Sequence, residues 1–231
     1  MIARHRHSTE NIMISIKTPN RCRLVLIAPK ASDADTLAAR IADAVSGGDV
    51  ASIILPDYAD DQADYQIRAE RVIERLRDRD VAVILAGDTR IAGRTGADGI
   101  HLDAKPGGIA DAVERLQSRM IVGAGGARTR HEALEIGEAR PDYVFFGRFG
   151  YDTKPEPHPR NLSLGGWWAE LIEIPCIVMG GSAVESARAV AETGAEFVAL
   201  SNAVFAEGAD PAERVAAVNA LLDRHAPAFE S

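Results

Sequence analysis

The stretch from residue 176 to residue 201, CIVMGGSAVESARAVAETGAEFVALS, indicates the fold of this protein. It contains two short apolar runs, Cys176–Met179 and Phe197–Leu200, separated by a glycine-containing loop and an alanine-rich segment with helical periodicity. Nearly continuous apolar runs of this length are typical of parallel strands that are covered on their outer face. The stretch therefore predicts a strand, a helix and a second parallel strand.

The same arrangement recurs from Arg21 onward and predicts eight strands. They are Leu24–Ile27, Ser52–Leu55, Val81–Leu85, Gly99–Leu102, Met120–Ala124, Tyr143–Gly147, Cys176–Met179 and Phe197–Leu200. Eight strand-helix units predict one α/β domain over residues 21–231, a (β/α)8 TIM barrel. An open doubly wound sheet is the alternative, but Ala28-Pro29-Lys30 after the first strand lacks the glycine-rich dinucleotide fingerprint.

Capping residues and charge runs predict where several helices begin and end. A long charged run predicts the second helix over Gln62–Arg79, and the last helix is expected from Pro211 to about His225. Three capping arrangements predict helix starts: Thr129 with Glu132, Ser182 with Glu185, and Asp210 with Pro211 and Glu213.

Composition excludes several classes of protein. The net charge of −8, without basic runs, argues against a broad surface for nucleic acid or anionic membranes, and no apolar run is long enough to cross a bilayer. Two cysteines, Cys22 and Cys176, are too few for a disulfide framework, so a cytoplasmic location is expected. Residues 1–20 are polar, lack a secretory signal and predict a loosely ordered N-terminal arm.

The loops after strands six, seven and eight carry the candidate site, because barrel active sites lie at the carboxyl ends of the strands. Arg148 follows strand six, and Thr153-Lys154 lies further along that loop. Gly180-Gly181 and Ser201-Asn202 follow the next two strands, where small residues expose backbone amides that suit a phosphate. A plain strand-to-helix turn at Gly180-Gly181 and a solvated loop lysine at Lys154 are the alternatives.

The residues resemble the thiamine-phosphate synthase family and its thiazole-tautomerase relatives over about residues 21–222. The resemblance rests on five segments in order: Gly96–Leu102, Tyr143–Gly147 followed by Thr153-Lys154-Pro155, Met179-Gly180-Gly181, Gly194-Ala195, and Ser201. It implies a barrel that uses Mg²⁺ to join a pyrimidine diphosphate to a thiazole phosphate, with release of pyrophosphate. It also implies that Gly180, Gly181, Ser201 and Asn202 bind the thiazole phosphate and that Thr153-Lys154 lies over the reacting groups.

The chain departs from the family pattern where the pyrophosphate and the metal are bound. A family Gln-Leu-Arg-x-Lys run is replaced by residues 54–58, Ile-Leu-Pro-Asp-Tyr, and the family Asn-Asp pair by Ala86-Gly87, with Asp88 one place along. The acidic ligand after strand four falls at Pro106, leaving Asp103 nearby, and a Ser-Thr-His run becomes residues 125–127, Gly-Gly-Ala. Much of the pyrophosphate and metal site expected from the resemblance is therefore missing.

Substitute residues are available, and each has a structural alternative. Arg148, Arg128, Arg130, Arg90 and Arg94 are candidates to replace the lost positive charge, because guanidinium groups suit phosphate oxygens. Asp88 and Asp103 are candidates to hold Mg²⁺ through water, or else they cap the following helices. His101 is expected to be a core histidine, and Trp167-Trp168 to pack on the outer shell or to form a subunit contact, which leaves a homo-oligomer open.

The prediction is a divergent transferase of thiamine biosynthesis in which Lys154 and Arg148 stabilise developing charge. Thr153, Gly180, Gly181, Ser201 and Asn202 are predicted to bind phosphate, and Asp88 and Asp103 to bind the metal. One alternative is a non-catalytic paralogue that binds thiamine phosphate or thiazole phosphate. The other is an enzyme that acts on a different small phosphorylated substrate through the arginine-rich mouth.

Overall fold

The computed structural model describes residues 18–59, 61–103 and 105–229. The predicted N-terminal arm falls almost entirely on residues 1–17, which lie outside the described residues. Strands and helices alternate along the described chain in the following order: β1 (Arg23–Ile27), α1 (Ala34–Ser46), β2 (Ser52–Pro56), α2 (Gln62–Leu76), β3 (Ala82–Ala86), α3 (Thr89–Thr95), β4 (Gly99–Leu102), α4 (Pro106–Leu116), β5 (Ile121–Ala124), α5 (Arg130–Glu138), β6 (Tyr143–Phe146), α6 (Pro159–Leu171), β7 (Cys176–Met179), α7 (Ser186–Ala191), β8 (Phe197–Leu200), α8 (Asn202–Phe205) and α9 (Pro211–His225).

The eight strands form a closed parallel barrel in sequence order, which confirms the predicted (β/α)8 TIM barrel. Closure is made by β1 and β8, where Leu24 is paired with Val198 and Leu26 with Leu200. The open doubly wound sheet is therefore excluded for this chain. All eight predicted strands are present, with ends that differ by one residue at most.

Alternate strand residues fill two separate parts of the core, because successive side chains of a strand point to opposite faces. One set points into the barrel and includes Val25, Ile27, Ile84, Phe145 and Ile177. The other set, with Leu24 and Leu26 among its members, packs outward against the helices. Burial on both faces is the physical reason for the nearly continuous apolar runs in the sequence.

Two of the three capping predictions are confirmed. Thr129 and Glu132 form a reciprocal capping box at α5, and the Asp210 carboxylate accepts hydrogen bonds from the first-turn amides of α9. The prediction for Ser182 is wrong, because α7 begins only at Ser186 and the Ser182 amide donates to the carbonyl of Lys154 at 2.7 Å. The loop after β7 is thus held by the loop after β6.

Two further expectations need correction. The second helix ends at Leu76, three residues earlier than predicted. Trp168 is fully buried against Phe146, and its indole N–H donates to the carbonyl of Ile174, so it belongs to the core. Trp167 is half-buried and lies under the guanidinium of Arg130, which agrees with outer-shell packing for that residue alone.

Candidate functional site

A cavity of about 910 Å³, here called the main cavity, lies at the carboxyl ends of the later strands. Its walls come from the loops after β4, β5, β6 and β7 and from the start of α6. The loop after β6 contributes most of the lining, from Gly147 to Asn161 with few gaps. This is the end of the barrel at which the sequence analysis placed the site.

The cavity brings together five of the predicted site residues, which come from three different loops. They are Asp103, Arg148, Thr153, Lys154 and Gly180. Gly181, Ser201, Asn202 and Asp88 are not among its lining residues. The structure thus unites the predicted charge-stabilising pair with part of the predicted phosphate site.

The glycines after β7 allow a close approach by this chain's own backbone. A Cβ atom on Gly181 would lie 2.2 Å from the carbonyl oxygen of Pro155, so only glycine fits where the two loops pack together. The Gly181 amide donates to Ser186 Oγ at 3.0 Å, and the Gly180 amide donates to the carbonyl of Ala199 at 2.9 Å. Both amides predicted to bind phosphate are therefore engaged within the protein.

A buried carboxylate accepts hydrogen bonds from the residue that begins α8, just after β8. Asp152, only 4% exposed, accepts hydrogen bonds from the backbone N–H of Asn202 at 2.7 Å and from Asn202 Nδ2 at 3.2 Å. Burial raises the pKa of Asp152, and the Asn202 amide opposes that rise because it stabilises the charged form. Asp152 thus accepts from the Asn202 amide, a group that the sequence predicts to bind a ligand phosphate.

Four cationic side chains line the cavity: Arg128, Arg148, Lys154 and Arg160. The Arg148 guanidinium lies over the ring of Tyr151, 4.1 Å from its centroid. Ion pairs in the described part of the chain involve other arginines, namely Arg21, Arg23, Arg68, Arg71, Arg90 and Arg188. The four cations of the cavity are therefore available for an anion.

Asp103, His101 and Tyr143 form a chain of three polar side chains that runs from the cavity into the barrel. Nδ1 of the buried His101 is 3.0 Å from the hydroxyl of Tyr143, and its Nε2 is 3.6 Å from Asp103 Oδ1. Nε2 is buried without a hydrogen-bond partner among the described residues. The His101 imidazole lowers the pKa of Asp103, and Arg148 acts in the same direction, so Asp103 carries a negative charge at neutral pH.

The glycines that replace the family's Ser-Thr-His run make room for these side chains. A Cβ atom on Gly125 would lie 2.7 Å from Asp103 Oδ1 and 2.9 Å from His101 Nε2. Gly123 lies within β5, outside that run, and a Cβ atom there would lie 1.9 Å from the Tyr143 ring. Gly125 is thus a loss relative to the family pattern that also has a steric role beside Asp103 and His101.

The two predicted metal ligands differ in their surroundings. Asp88 caps α3 and binds the exposed Arg90 guanidinium at 2.7 Å, so both of its oxygens are engaged; this confirms the capping alternative, and its role as a metal ligand stays a prediction. Asp103 faces the cavity with its side chain 59% exposed, and it caps no helix, since α4 begins after Lys105. Across residues 18–59, 61–103 and 105–229, no three metal-ligating side chains of His, Cys, Asp or Glu come together.

The mouth of the barrel on the β1 and β2 side holds a smaller cavity of about 210 Å³. Lys30 lies over the ring of Tyr58 there, 5.3 Å from its centroid, and Arg68 pairs with Asp64. Pro56 and Tyr58 stand where the resemblance expects the two basic anchors, and the Asp57 carboxylate between them accepts a hydrogen bond from Gln62. In addition, none of the described helices is both long and apolar enough to span a membrane.

Comparisons with known proteins identify the family of this chain and agree with its fold. The family model for thiamine monophosphate synthase matches residues 24–204. The chain is 36% identical to the thiamine-phosphate synthase of Rhodospirillum centenum, covering 87% of this chain and 98% of that protein. It is 32% identical to the thiamine-phosphate synthase of Hyphomonas neptunium, over 88% and 95% of the two chains. The thiamine phosphate pyrophosphorylase of Pyrococcus furiosus shares the fold, with a TM-score of 0.73 at 21% identity over 89% of this chain and 97% of that chain.

Proposed function

This chain belongs to the thiamine monophosphate synthase family and is a transferase of thiamine biosynthesis, and from that premise we propose how its barrel mouth joins a pyrimidine diphosphate to a thiazole phosphate. The thiazole nitrogen attacks the methylene carbon of the pyrimidine, and the carbon–oxygen bond to the diphosphate breaks, which releases pyrophosphate. Negative charge grows on the leaving group as that bond breaks. The protein must therefore supply positive charge where the diphosphate departs.

The observation that carries this proposal is the shared cavity of Arg148 and Lys154. Both cations face it, neither has an ion pair among the described residues, and Thr153 and Gly180 line the same space. Fixed charges in a partly enclosed site stabilise a developing anion more than the same charges in water do. We assign charge stabilisation to Lys154 and Arg148.

The thiazole phosphate is proposed to bind beside Thr153 and Gly180, next to the amides of Gly181, Ser201 and Asn202. The amides of Gly181 and Asn202 have internal partners, of which the Asp152 carboxylate on Asn202 is the one that a phosphate most resembles in charge and hydrogen bonding. Phosphate binding after β8 then exchanges one anion for another.

Mg²⁺ is implied by the family, and Asp103 is the residue that fits it. Mg²⁺ is commonly held by one or two carboxylates together with substrate phosphates and water, so a single ionised carboxylate facing the cavity suits it. Asp88 is engaged by Arg90 and is left out of this proposal. When bound, the ion would supply further positive charge to the diphosphate.

Turnover tests the proposal directly. Purified protein, pyrimidine diphosphate, thiazole phosphate and Mg²⁺ are mixed, and thiamine phosphate is followed against time. Lys154→Ala is expected to lower kcat by tenfold or more. Arg130→Ala is the matched control, because it removes a cation that lies over Trp167 outside the cavity lining. Equal rates for Lys154→Ala and the parent protein would contradict the assignment.

A binding protein without turnover is the second candidate, and the engagement of Asp88 by Arg90 favours it because Arg90 competes with a metal ion for one expected ligand. The third candidate is an enzyme for another small phosphorylated substrate. Thermal denaturation separates these candidates, since a ligand that binds only the native state raises Tm. Protection by thiazole phosphate without Mg²⁺, together with absent turnover, supports the binding protein. The buried, unpaired Cys22 and Cys176 suit the reducing cytoplasm, where we place the protein.

A further inference from the structure

We infer that the diphosphate of the substrate binds on the β5 and β6 side of the barrel mouth, where Arg128, Arg148 and Arg160 line the main cavity. The inference rests on the proposed function, because it takes a diphosphate to be the ligand. It assigns Arg128 and Arg160 to a diphosphate site and moves that site away from β2. Lys154 borders the same site.

The β2 side offers little positive charge to a diphosphate. Pro56, Asp57 and Tyr58 follow β2, and Asp57 brings a negative charge. Of the two cations that line the smaller cavity, Arg68 is bound by Asp64 at 2.6 Å. Lys30 alone remains, over the ring of Tyr58. A ligand with several negative charges gains less there than among the arginines of the main cavity.

After β3 and after β8, the groups that could bind an anion already have partners within the protein. After β3, the Arg90 guanidinium and the Asp88 carboxylate neutralise each other. After β8, the Asn202 amide is bound by Asp152, whose negative charge opposes a second anion. Unengaged positive charge at the carboxyl end of the barrel therefore concentrates in the main cavity.

The local structure directs the three arginines to one space from different elements. Arg128 precedes Thr129, the cap of α5, and its backbone N–H is fixed by the Glu132 carboxylate at 2.7 Å. Arg148 lies two residues after the end of β6, and Arg160 lies in the first turn of α6. Guanidinium groups bind phosphate oxygens through paired N–H donors, so three of them suit a diphosphate.

The cavity is enriched in positive charge relative to the chain as a whole. The chain has a net charge of −8, whereas the cavity lining contains four cations against the carboxylates of Asp103, Asp152 and Glu156. Asp152 is directed to Asn202, which leaves Asp103 and Glu156 facing the ligand. A diphosphate with Mg²⁺ at Asp103 would bind with these charges largely balanced.

Titration calorimetry with inorganic pyrophosphate tests the inference. The parent protein, Arg128→Gln, Arg160→Gln, Arg130→Gln and Lys30→Gln are compared, first without Mg²⁺ and then with it. Arg128→Gln and Arg160→Gln are each expected to weaken binding by about tenfold to a hundredfold, as expected for loss of a hydrogen bond between charged groups. Arg130→Gln and Lys30→Gln are expected to bind as the parent protein does.

Two outcomes would overturn the inference. One is unchanged pyrophosphate affinity in Arg128→Gln and Arg160→Gln, with circular dichroism showing that both variants fold. The other is a large loss of affinity in Lys30→Gln, which would place the diphosphate on the β1 and β2 side. Failure of the proposed function is a separate result, because absent turnover with arginine-dependent pyrophosphate binding would leave this site standing.

Discussion

Replacing Asp152 should free the amides after β8 and strengthen binding of phosphate. The Asp152 carboxylate accepts from the Asn202 amide at 2.7 Å and from its side chain at 3.2 Å. A hydrogen bond to a charged group contributes about 1.5–3 kcal/mol, and a ligand phosphate must displace it. We expect Asp152→Ala to bind inorganic phosphate about tenfold to a hundredfold more tightly than the parent protein.

The same substitution should lower stability in the absence of ligand. Loss of the carboxylate leaves the Asn202 amide without its partner and loosens the contact between the loops after β6 and β8. The expected loss is about 1–3 kcal/mol. For a domain of this size, Tm falls by about 2–4 °C for each kcal/mol. Asp152→Asn keeps one neutral acceptor and should lie between the parent protein and Asp152→Ala.

The assay combines thermal denaturation with phosphate titration of the three proteins. An increase in phosphate affinity that persists when Arg128→Gln is added would assign the new binding to the β8 amides rather than to the arginines. The reasoning is refuted if Asp152→Ala lowers Tm while phosphate affinity stays unchanged or falls. In that case Asp152 fastens the loop and does not compete with a ligand anion.

Three further predictions concern stability and reactivity. Gly123→Ala should destabilise the fold by about 1–3 kcal/mol or more, because its Cβ would lie 1.9 Å from the Tyr143 ring. Its counterpart Gly93→Ala lies within α3 with open space around it, so it should instead stabilise the fold by about 0.5–1 kcal/mol. Urea unfolding measures the change in the free energy of unfolding for both variants. The hydrogen bonds that cap α1 lower the pKa of Asp33 to about 2, below the value of about 3.9 for an unfolded chain, so its contribution is full above about pH 4 and is lost as the pH falls toward 2. The Tm difference between the parent protein and Asp33→Ala should therefore shrink over that range, and a constant difference would count against the cap. Burial raises the pKa of Cys22 to about 12, so this thiol should react with a disulfide reagent only after unfolding, and rapid reaction of the native protein would contradict its burial.

Most of the fold could be predicted because it depends on local patterns. Apolar runs of four or five residues identify the strands, and capping pairs such as Thr129 with Glu132 identify helix starts. The failure at Ser182 has a tertiary cause, since its amide is taken by the carbonyl of Lys154 from another loop. Trp168 was likewise placed wrongly because no local pattern separates a tryptophan of the core from one of the outer shell.

The site was predicted less completely, because it depends on which loops meet. Sequence order and the rule for barrel ends were enough to place Arg148 and Lys154 at one mouth. The contact between Asp152 and Asn202 joins residues fifty positions apart. The chain of Tyr143, His101 and Asp103 similarly depends on β4 and β6, which are brought together on either side of β5. The only local signal for either feature was the glycine run after β5.

Periodicity, capping and chain order are sufficient to predict the barrel, its parallel strands and the end at which the site lies, because these signals act over short distances. Which charged groups remain available for a ligand depends on the tertiary structure. It brings Asp152 to Asn202, fifty positions along the chain, and it leaves Arg128, Arg148 and Arg160 facing one cavity. The physical reason is that an ionised group acts on a ligand only when no nearer partner satisfies it, and the nearest partner is set by the fold.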